Sequence, residues 1–406
     1  MKVFFLGSII SDDEVDSILK KSRVKPSVAP VYFQKTAIEG MTNSGLDVDI
    51  YSLPPIKTFP GGSRFCWGKR RESLCDGNNI YWLPAVNVFG LKQITAYFSA
   101  KRSLKKWLRE NKDEYEKVVL CYSVYGPTAK AVIKLKKKYD FKACAVITDS
   151  VDYVYNQKGN RVKTALLNKL ASDTKYLTGL FDGYIFLTKY MVEQYSADSK
   201  PHIIMEGLCN PKLFDGISAD KRDNTLMYSG VLSRGFGIDK LLKAFCNCQG
   251  DYVLRLFGSG ECEDLVREYA LKDRRIVYEG RVDRSTLLKA QKSATLLLSV
   301  KPSDEEHTKY AFPSKVLEYM TSGTPVLMTK VKGIPDEYFD YCYTIEDESV
   351  DGIAKAIEIT MQKPLKELEE TGERARRFVT TNKNALKQGQ RIKELLEKIV
   401  KDEKVD

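Results

Sequence analysis

Short runs of apolar, β-branched and aromatic residues alternate with helical patterns from end to end, and this alternation limits the fold more than any other feature of the chain. "KVFFLGS", "DVDIYSL", "KVVLCYS", "ACAVITD" and "GYIFLT" form a first series, and "NTLMYSGVL", "YVLRLFGSG", "RIVYEGRV", "ATLLLSV" and "TPVLMT" a second. These runs are mostly apolar rather than alternating, as expected of strands buried on both faces. The intervening "GIDKLLKAFCNC", "CEDLVREYALK" and "STLLKAQKSA" read as helices. Strand–helix alternation implies parallel sheets covered on both sides, hence an α/β fold, and two successive series imply two doubly wound, Rossmann-like domains. The 406 residues are ample for two or three such cores. The polar, Pro- and Gly-containing "NPKLFDGISADKRD" marks the boundary, giving a first domain over residues 1–215 and a second over 216–385. The remainder, 386–406, continues a helical pattern whose last residues are expected to fray.

Several classes of protein are disfavoured at once. Hydrophobic residues make up 43% and charged residues 29%, a balance unlike that of disordered chains. No apolar run approaches the roughly 20 residues of a membrane-spanning helix. The start, "MKVFFLGSIISDDEV", turns acidic too soon for a signal peptide, so a soluble, cytoplasmic protein is expected. Nine scattered cysteines without a C-x-x-C pair read as free thiols. His202 and His307 are the only histidines, which leaves little material for a histidine-rich metal site or a triad. The D-x-D of Asp47 to Asp49 opens a predicted strand and is not read as a metal site.

The net charge of +11 is unevenly spread. Residues 1–215 hold 33 Lys and Arg against 22 Asp and Glu, whereas residues 216–406 hold 32 of each. The excess is densest in "SAKRSLKKWLRENK", where Lys101, Arg102, Lys105, Lys106 and Arg109 surround Trp107. A basic helix with an aromatic residue suits the surface of an anionic membrane, although a solvated helix face has the same composition. The expectation carried forward is peripheral contact with the inner face of the membrane through these six residues. No nucleic-acid-binding motif accompanies the charge, so nucleic acid is not an expected partner.

Ligands of open parallel sheets bind at the carboxyl ends of the strands. Two glycine-rich turns of the second half lie there: "YSGVLSRGFGIDKLL", with Gly230, Gly235, Gly237 and Arg234, and "LFGSGECEDL", with Gly258 and Gly260. Neither is a full dinucleotide fingerprint, and tight turns without a ligand explain both equally well. "KYAFPSKVLEYMTSGTPVL" carries more. Pro313 suits the first turn of a helix, Ser314 and Lys315 follow, and Glu318 falls one turn later. A lysine at a helix start suits an anion, and a carboxylate just beyond can accept paired hydroxyl hydrogen bonds. That combination suits the pyrophosphate and ribose of a nucleotide sugar; a capped helix with a surface glutamate would read the same way.

These segments, with "YEGRVDRSTLLKAQKSATLLLSV" and "VKGIPDEYF", resemble the donor-binding half of GT-B-fold retaining glycosyltransferases of family 4. The closing "ARRFVTTNKNALKQGQRIKELL" is similar to that family's end, whose last helix crosses back to the first domain. The resemblance implies transfer of a sugar from a UDP- or GDP-linked donor to a glycan or lipid-linked acceptor, with retention and without metal or cofactor, in cell-surface polysaccharide synthesis. It implies that Glu318 binds the donor ribose, with Phe312, Pro313, Ser314, Gly230, Gly258 and Gly260 around the donor. The first glutamate of the family's usual pair is replaced by Tyr310, so recognition of the donor sugar passes to Tyr310 or to Glu305 and Glu306. The family's usual Arg and Lys positions hold Val231 and Phe236, leaving Arg234 and Lys315 to neutralise the diphosphate. A family His-Asp pair appears as Thr148-Asp149, which makes Asp149 the third catalytic candidate. Loss of these residues would also suit a non-catalytic partner subunit of the same fold. A nicotinamide-dependent oxidoreductase is the remaining alternative, weakened by the missing fingerprint after the first strand.

Overall fold

The computed structural model describes residues 1–74, 77–150, 161–220 and 223–402. Residues 221 and 222 of the expected linker, and the final four residues expected to fray, lie outside them. The chain forms two compact units, Met1–Leu208 with Ala385–Asp406, and Cys209–Asn384. The segment from Cys209 to Asp215, assigned by sequence to the first domain, packs in the second unit, where Phe214 is buried and Cys209 Sγ lies 3.1 Å from Thr321 Oγ1.

The sheet of the first unit runs His202–Ile204, Gly183–Phe186, Lys142–Ile147, Lys117–Tyr122, Lys2–Gly7, Asp47–Ser52, Asn79–Trp82 and Arg71–Ser73. All neighbours pair in parallel except the last two. Both faces are covered, which explains the near-continuous apolar runs. Val3 and Phe5 enter one core, whereas Phe4 enters the other, stacking on Tyr51 at 4.2 Å between ring centroids and meeting Trp107 edge-on at 5.4 Å. The helix Ala385–Val400 contributes Ile392, Leu395, Leu396 and Ile399 to the first core, opposite Ile38 and Met41 of the helix Ala29–Asn43. A Cβ on Gly389 would stand 2.1 Å from the backbone of Gly40, so this helix crossing requires glycine.

In the second unit the order is Ile276–Gly280, Val253–Ser259, Thr225–Val231, Leu296–Ser299, Val326–Thr329 and Tyr343–Ile345, parallel throughout. Taken in chain order these strands occupy places 3-2-1-4-5-6, the Rossmann arrangement, and the direction of winding reverses between Thr225–Val231 and Leu296–Ser299. The helix Ile238–Asn247 buries Ile238, Leu241, Leu242 and Phe245 against this sheet, at the spacing that identified it in the sequence.

Two further expectations meet the structure here. Eight of the cysteines are described, all are free, and five of them are buried. Trp107 corrects the expected membrane surface: it is 2% exposed, and its Nε1 donates to Asp49 Oδ2 at 2.8 Å. It falls in step with Ala96, Ala100, Leu104 and Leu108, the buried residues of the helix Leu91–Glu110, so it packs inward while its charged neighbours point out. Asp47 and Asp49 are both ion-paired with Lys2, at 2.6 and 3.3 Å. No helix among the described residues is long and apolar enough to cross a membrane.

Candidate functional site

The winding reversal of the second sheet gathers three segments. Thr225–Val231 ends in Gly230 and leads through a short 3-10 turn, Arg234–Phe236, into the helix Ile238–Asn247. Leu296–Ser299 is followed at once by Lys301. The helix Lys315–Thr321 supplies Lys315, Glu318 and Tyr319. Tyr319 clamps this helix to the strand end: its hydroxyl accepts the Ser229 amide at 2.8 Å and lies 3.1 Å from the Ser229 carbonyl oxygen.

Lys315 is the most unusual group here. Its stem is partly exposed, but its Nζ is buried and has no hydrogen-bond partner among the described residues. The ammonium lies 4.0 Å from the centroid of the Tyr228 ring and 5.7 Å from that of Phe236. Aromatic faces attract a cation but do not replace its hydration. Burial, assisted by the charge of Lys301, therefore pushes the Lys315 pKa down to about 7. Lys301 is itself buried, with Nζ 5.5 Å from the Phe236 ring centroid, and burial lowers its pKa as well. Two lysines thus converge beneath the turn that carries Arg234. Gly230 has φ of 143°, and a Cβ there would lie 3.8 Å from Lys315 Nζ, so glycine keeps backbone and ammonium adjacent without a side chain between them.

Glu318 is the one carboxylate of the helix Lys315–Thr321, and it is held from two sides. Its side chain is 19% exposed; Oε1 accepts from Gln291 Nε2 at 2.6 Å and Oε2 from Arg284 Nη2 at 2.6 Å. Gln291, fully buried, also reaches Ser229 Oγ at 3.3 Å. One oxygen is therefore fixed from inside the protein, while the other is held by an arginine that is 54% exposed and free to swing away. A ligand offering two hydroxyls could displace the arginine and leave the glutamine in place.

The other expected residues are distributed as follows. Arg234 is exposed at the turn, its backbone N–H donating to Glu261 Oε1 at 3.1 Å. Ser314 occupies the helix N-cap position without a side-chain capping bond, and Pro313 precedes it. Phe312 faces inward, its ring 5.4 Å from that of Tyr338, so it anchors the segment to the core and presents no open surface. Glu306 is exposed and ion-paired with Lys309, whose ammonium also lies 5.0 Å from the Tyr310 ring centroid. Gly258 and Gly260 are required by close backbone packing: a Cβ on Gly258, whose φ is 129°, would overlap the Gly230 carbonyl at 1.8 Å, and one on Gly260 the Leu232 carbonyl at 2.3 Å. Asp149 belongs to the first unit, exposed just past the end of Lys142–Ile147 and accepting from Thr148 Oγ1 at 3.1 Å. Among the described residues no cluster of His, Cys, Asp and Glu has the makings of a metal site.

Sequence reasoning missed Lys301, Gln291 and Arg284. Two signals were available. Lys301 is a charge two residues past the buried strand Leu296–Ser299, and Gln291 is a polar residue on the buried stripe of its helix, three residues beyond Leu288.

Residues 210–378 match the family model Glycosyl transferases group 1. No curated protein matches the chain in sequence. Solved structures do match it in shape. Sucrose-phosphate synthase from Thermosynechococcus elongatus superimposes with a TM-score of 0.64 at 16% identity, covering 98% of this chain and 100% of the other. An α,α-trehalose 6-phosphate synthase from Burkholderia multivorans gives 0.62 at 10% identity, covering 99% of each chain. The lipopolysaccharide outer core galactosyltransferase WaaB, in its apo form, gives 0.60 at 14% identity, over 98% of this chain and 99% of the other. The chain therefore has the GT-B fold of two Rossmann-like units, and its second unit carries the match to glycosyl transferases group 1.

Proposed function

We propose that the protein is a glycosyltransferase that moves a sugar from a UDP- or GDP-linked donor to an acceptor hydroxyl with retention of configuration. The observation that carries this reading is the buried, unpartnered ammonium of Lys315 beside Gly230 at the winding reversal, with Lys301 behind it. A cation held there at an energetic cost is compensated when a diphosphate enters, because the anion restores the charge partner that burial removed. The match of residues 210–378 to glycosyl transferases group 1 supports reading that anion as the diphosphate of a nucleotide sugar. Glu318 would accept the two ribose hydroxyls after Arg284 swings away, and Gln291 would keep the carboxylate in place.

Cleavage of the donor's glycosidic bond leaves negative charge on the departing diphosphate. Fixed cations that meet the charge as it develops stabilise the transition state without a protein nucleophile. Lys315, Lys301 and Arg234 would perform this role, and the reading calls for no metal or cofactor. Asp149 is proposed as the contribution of the first unit to the chemistry, and Tyr310 as a contact to the donor sugar. The acceptor is proposed to be a glycan or a lipid-linked glycan of the cell surface, and the protein to work in the cytoplasm.

A panel of UDP- and GDP-sugars tested by thermal shift, followed by donor hydrolysis, checks the reading. One nucleotide class should raise the melting temperature, a ligand at 100 times its dissociation constant stabilising by about 2.7 kcal/mol. Glu318→Ala should weaken that binding by about 1.5–3 kcal/mol, the scale of charged hydrogen bonds, and lower the melting temperature of the free protein as well, because buried Gln291 keeps only its 3.3 Å contact to Ser229 Oγ. Unchanged nucleotide affinity in this variant would remove Glu318 from the site. Donor binding without hydrolysis or transfer would point to a partner subunit that keeps the fold but not the reaction.

A further inference from the structure

The helix Leu91–Glu110 has an outer stripe as regular as its buried one. Leu91, Ile94, Phe98, Arg102, Lys105 and Arg109 follow one another at steps of three or four residues and are all exposed. At 100° per residue they fall within an arc of about 80°, opposite the buried alanines and Trp107. Along this stripe the chemistry changes once. Leu91, Ile94 and Phe98 are 49%, 54% and 61% exposed, and the next three positions are all cationic. Each half is about 10 Å long at 1.5 Å per residue.

The apolar half continues beyond the helix. Phe89 is 69% exposed, and Phe59 and Phe65, whose rings meet edge to face at 5.8 Å, sit on a loop tied to the backbone of Asn87, two residues before it. The loop carrying that pair is pinned: the Phe59 amide donates to the Asn87 carbonyl at 2.9 Å, and the Asn87 amide to the Phe65 carbonyl at 2.6 Å. The Asn87 side chain reaches the Lys57 and Arg64 carbonyls at 2.8 Å each. The exposed phenylalanines among the described residues are Phe59 and Phe65 of this loop, Phe89 two residues past its Asn87 anchor, and Phe98 of the helix that follows. A contiguous exposed apolar patch of this kind marks an interaction site. In the basic half, Lys106 is paired with Glu110 at 3.4 Å and Lys101 lies 5.8 Å from the Tyr97 ring centroid, whereas Arg102, Lys105 and Arg109 make no ion pair or hydrogen bond among the described residues.

We propose that this face docks the first unit on an anionic lipid bilayer, with Phe89, Leu91, Ile94 and Phe98 entering the interfacial zone and Arg102, Lys105 and Arg109 meeting lipid phosphates. A bilayer places hydrocarbon and phosphate side by side in layers, which is the division found along the stripe. The unpaired cations supply charge complementarity to that surface and to no feature of the chain itself. The aromatic anchors are the exposed phenylalanines, in place of the buried Trp107. The inference is independent of the donor site, because a chain unable to bind nucleotide would dock equally well.

Vesicle sedimentation of the full chain tests it, comparing vesicles rich in phosphatidylglycerol with vesicles of phosphatidylcholine alone. Binding should require the anionic lipid and weaken with salt. Arg102→Gln, Lys105→Gln and Arg109→Gln together should lower partitioning by about fivefold per charge at low salt. The pair Phe89→Ser and Phe98→Ser should lower it at every salt concentration. All five side chains are exposed, so unchanged melting temperatures will show that the variants fold. Equal binding to both vesicle types, binding to neither, or binding unaffected by either variant would overturn the proposal. So would a lipid-free dimer that Phe98→Ser dissociates, since the face would then join two copies of the chain.

Discussion

In the first unit the buried carboxylate of Glu14 is held by Arg64 and by Arg70, the latter at 2.7 Å; neighbouring Glu72 takes Arg70 at 3.1 Å and the Ser11 amide at 3.0 Å. In the second unit the buried ammonium of Lys315 faces two aromatic rings and a second lysine, with no carboxylate paired to it among the described residues. Both arrangements take charge out of water, and both carry a desolvation penalty. The first is closed: Arg64 and Arg70 lie 5.3 and 5.1 Å from the Trp82 ring centroid, and the network returns on itself as a structural brace. The second is open, and an open buried charge in a folded chain points to a ligand that completes it.

The largest expected effect falls on the closed network. Glu14→Ala strands Arg64, leaves Arg70 with Glu72 alone, and should destabilise the first unit by about 2–3 kcal/mol, somewhat under the usual cost of breaking a buried pair because Arg64 and Arg70 are 30% and 48% exposed. Denaturant unfolding measures this, and nucleotide binding should survive at temperatures where the variant remains folded. A variant as stable as the parent would dissolve the contrast between the units.

The open charge should respond in the opposite sense. Lys315→Met should weaken nucleoside diphosphate binding by about 2 kcal/mol, a charged hydrogen bond lost, while raising the melting temperature of the free protein near neutral pH. The sign follows from the lowered pKa. Between about 7, the value in the folded chain, and 10.5, the ordinary value, the unfolded chain binds more protons, so stability rises with pH across that window. The destabilisation is therefore complete below about 7 and relieved towards 10.5, and the gain from methionine should shrink over the same range. Binding should show the converse dependence, affinity falling as pH rises above about 7 and the ammonium is lost. Titration calorimetry across that range checks it, and a flat profile would place the diphosphate elsewhere.

The smallest effect should come from the gate. Arg284→Met frees one oxygen of Glu318 and should raise nucleotide affinity by no more than about 1 kcal/mol, the usual worth of an exposed ion pair. A loss of affinity would instead make Arg284 a ligand of the nucleotide.

Periodicity located the long strands, and the helices that follow Thr225–Val231, Val253–Ser259 and Ile276–Gly280, because both faces of each sheet are buried, which leaves runs such as "KVVLCY" with no alternation to confuse them. Arg71–Ser73, His202–Ile204 and Tyr343–Ile345 were not singled out, since three residues carry too little pattern to separate a strand from a loop. Trp107 was misplaced for a different reason: surrounded by basic residues, it drew attention by composition, although its step from Leu104 already put it on the buried stripe. Phe312 likewise stands next to the site in sequence and faces the core in space.

Lys315 and Glu318 were legible as candidates by themselves because three residues along one helix put both side chains on a single turn of chain. The amino-acid order thus determined the two doubly wound units, the segment that carries the candidate site, and the excess of positive charge in the first half. Only the tertiary structure decided what surrounds those groups. Gln291 and Arg284 reach Glu318 from a helix about 30 positions earlier, and Lys301 arrives from the strand beyond the winding reversal. The same holds for the stripe of the helix Leu91–Glu110, which carries exposed Phe98 and whose N-terminal approach is joined by a loop bearing Phe59 and Phe65 and pinned through Asn87. Local pattern fixes which face a side chain takes, but burial, pairing and the shift of a pKa depend on neighbours that only the folded sheet brings within a few ångströms.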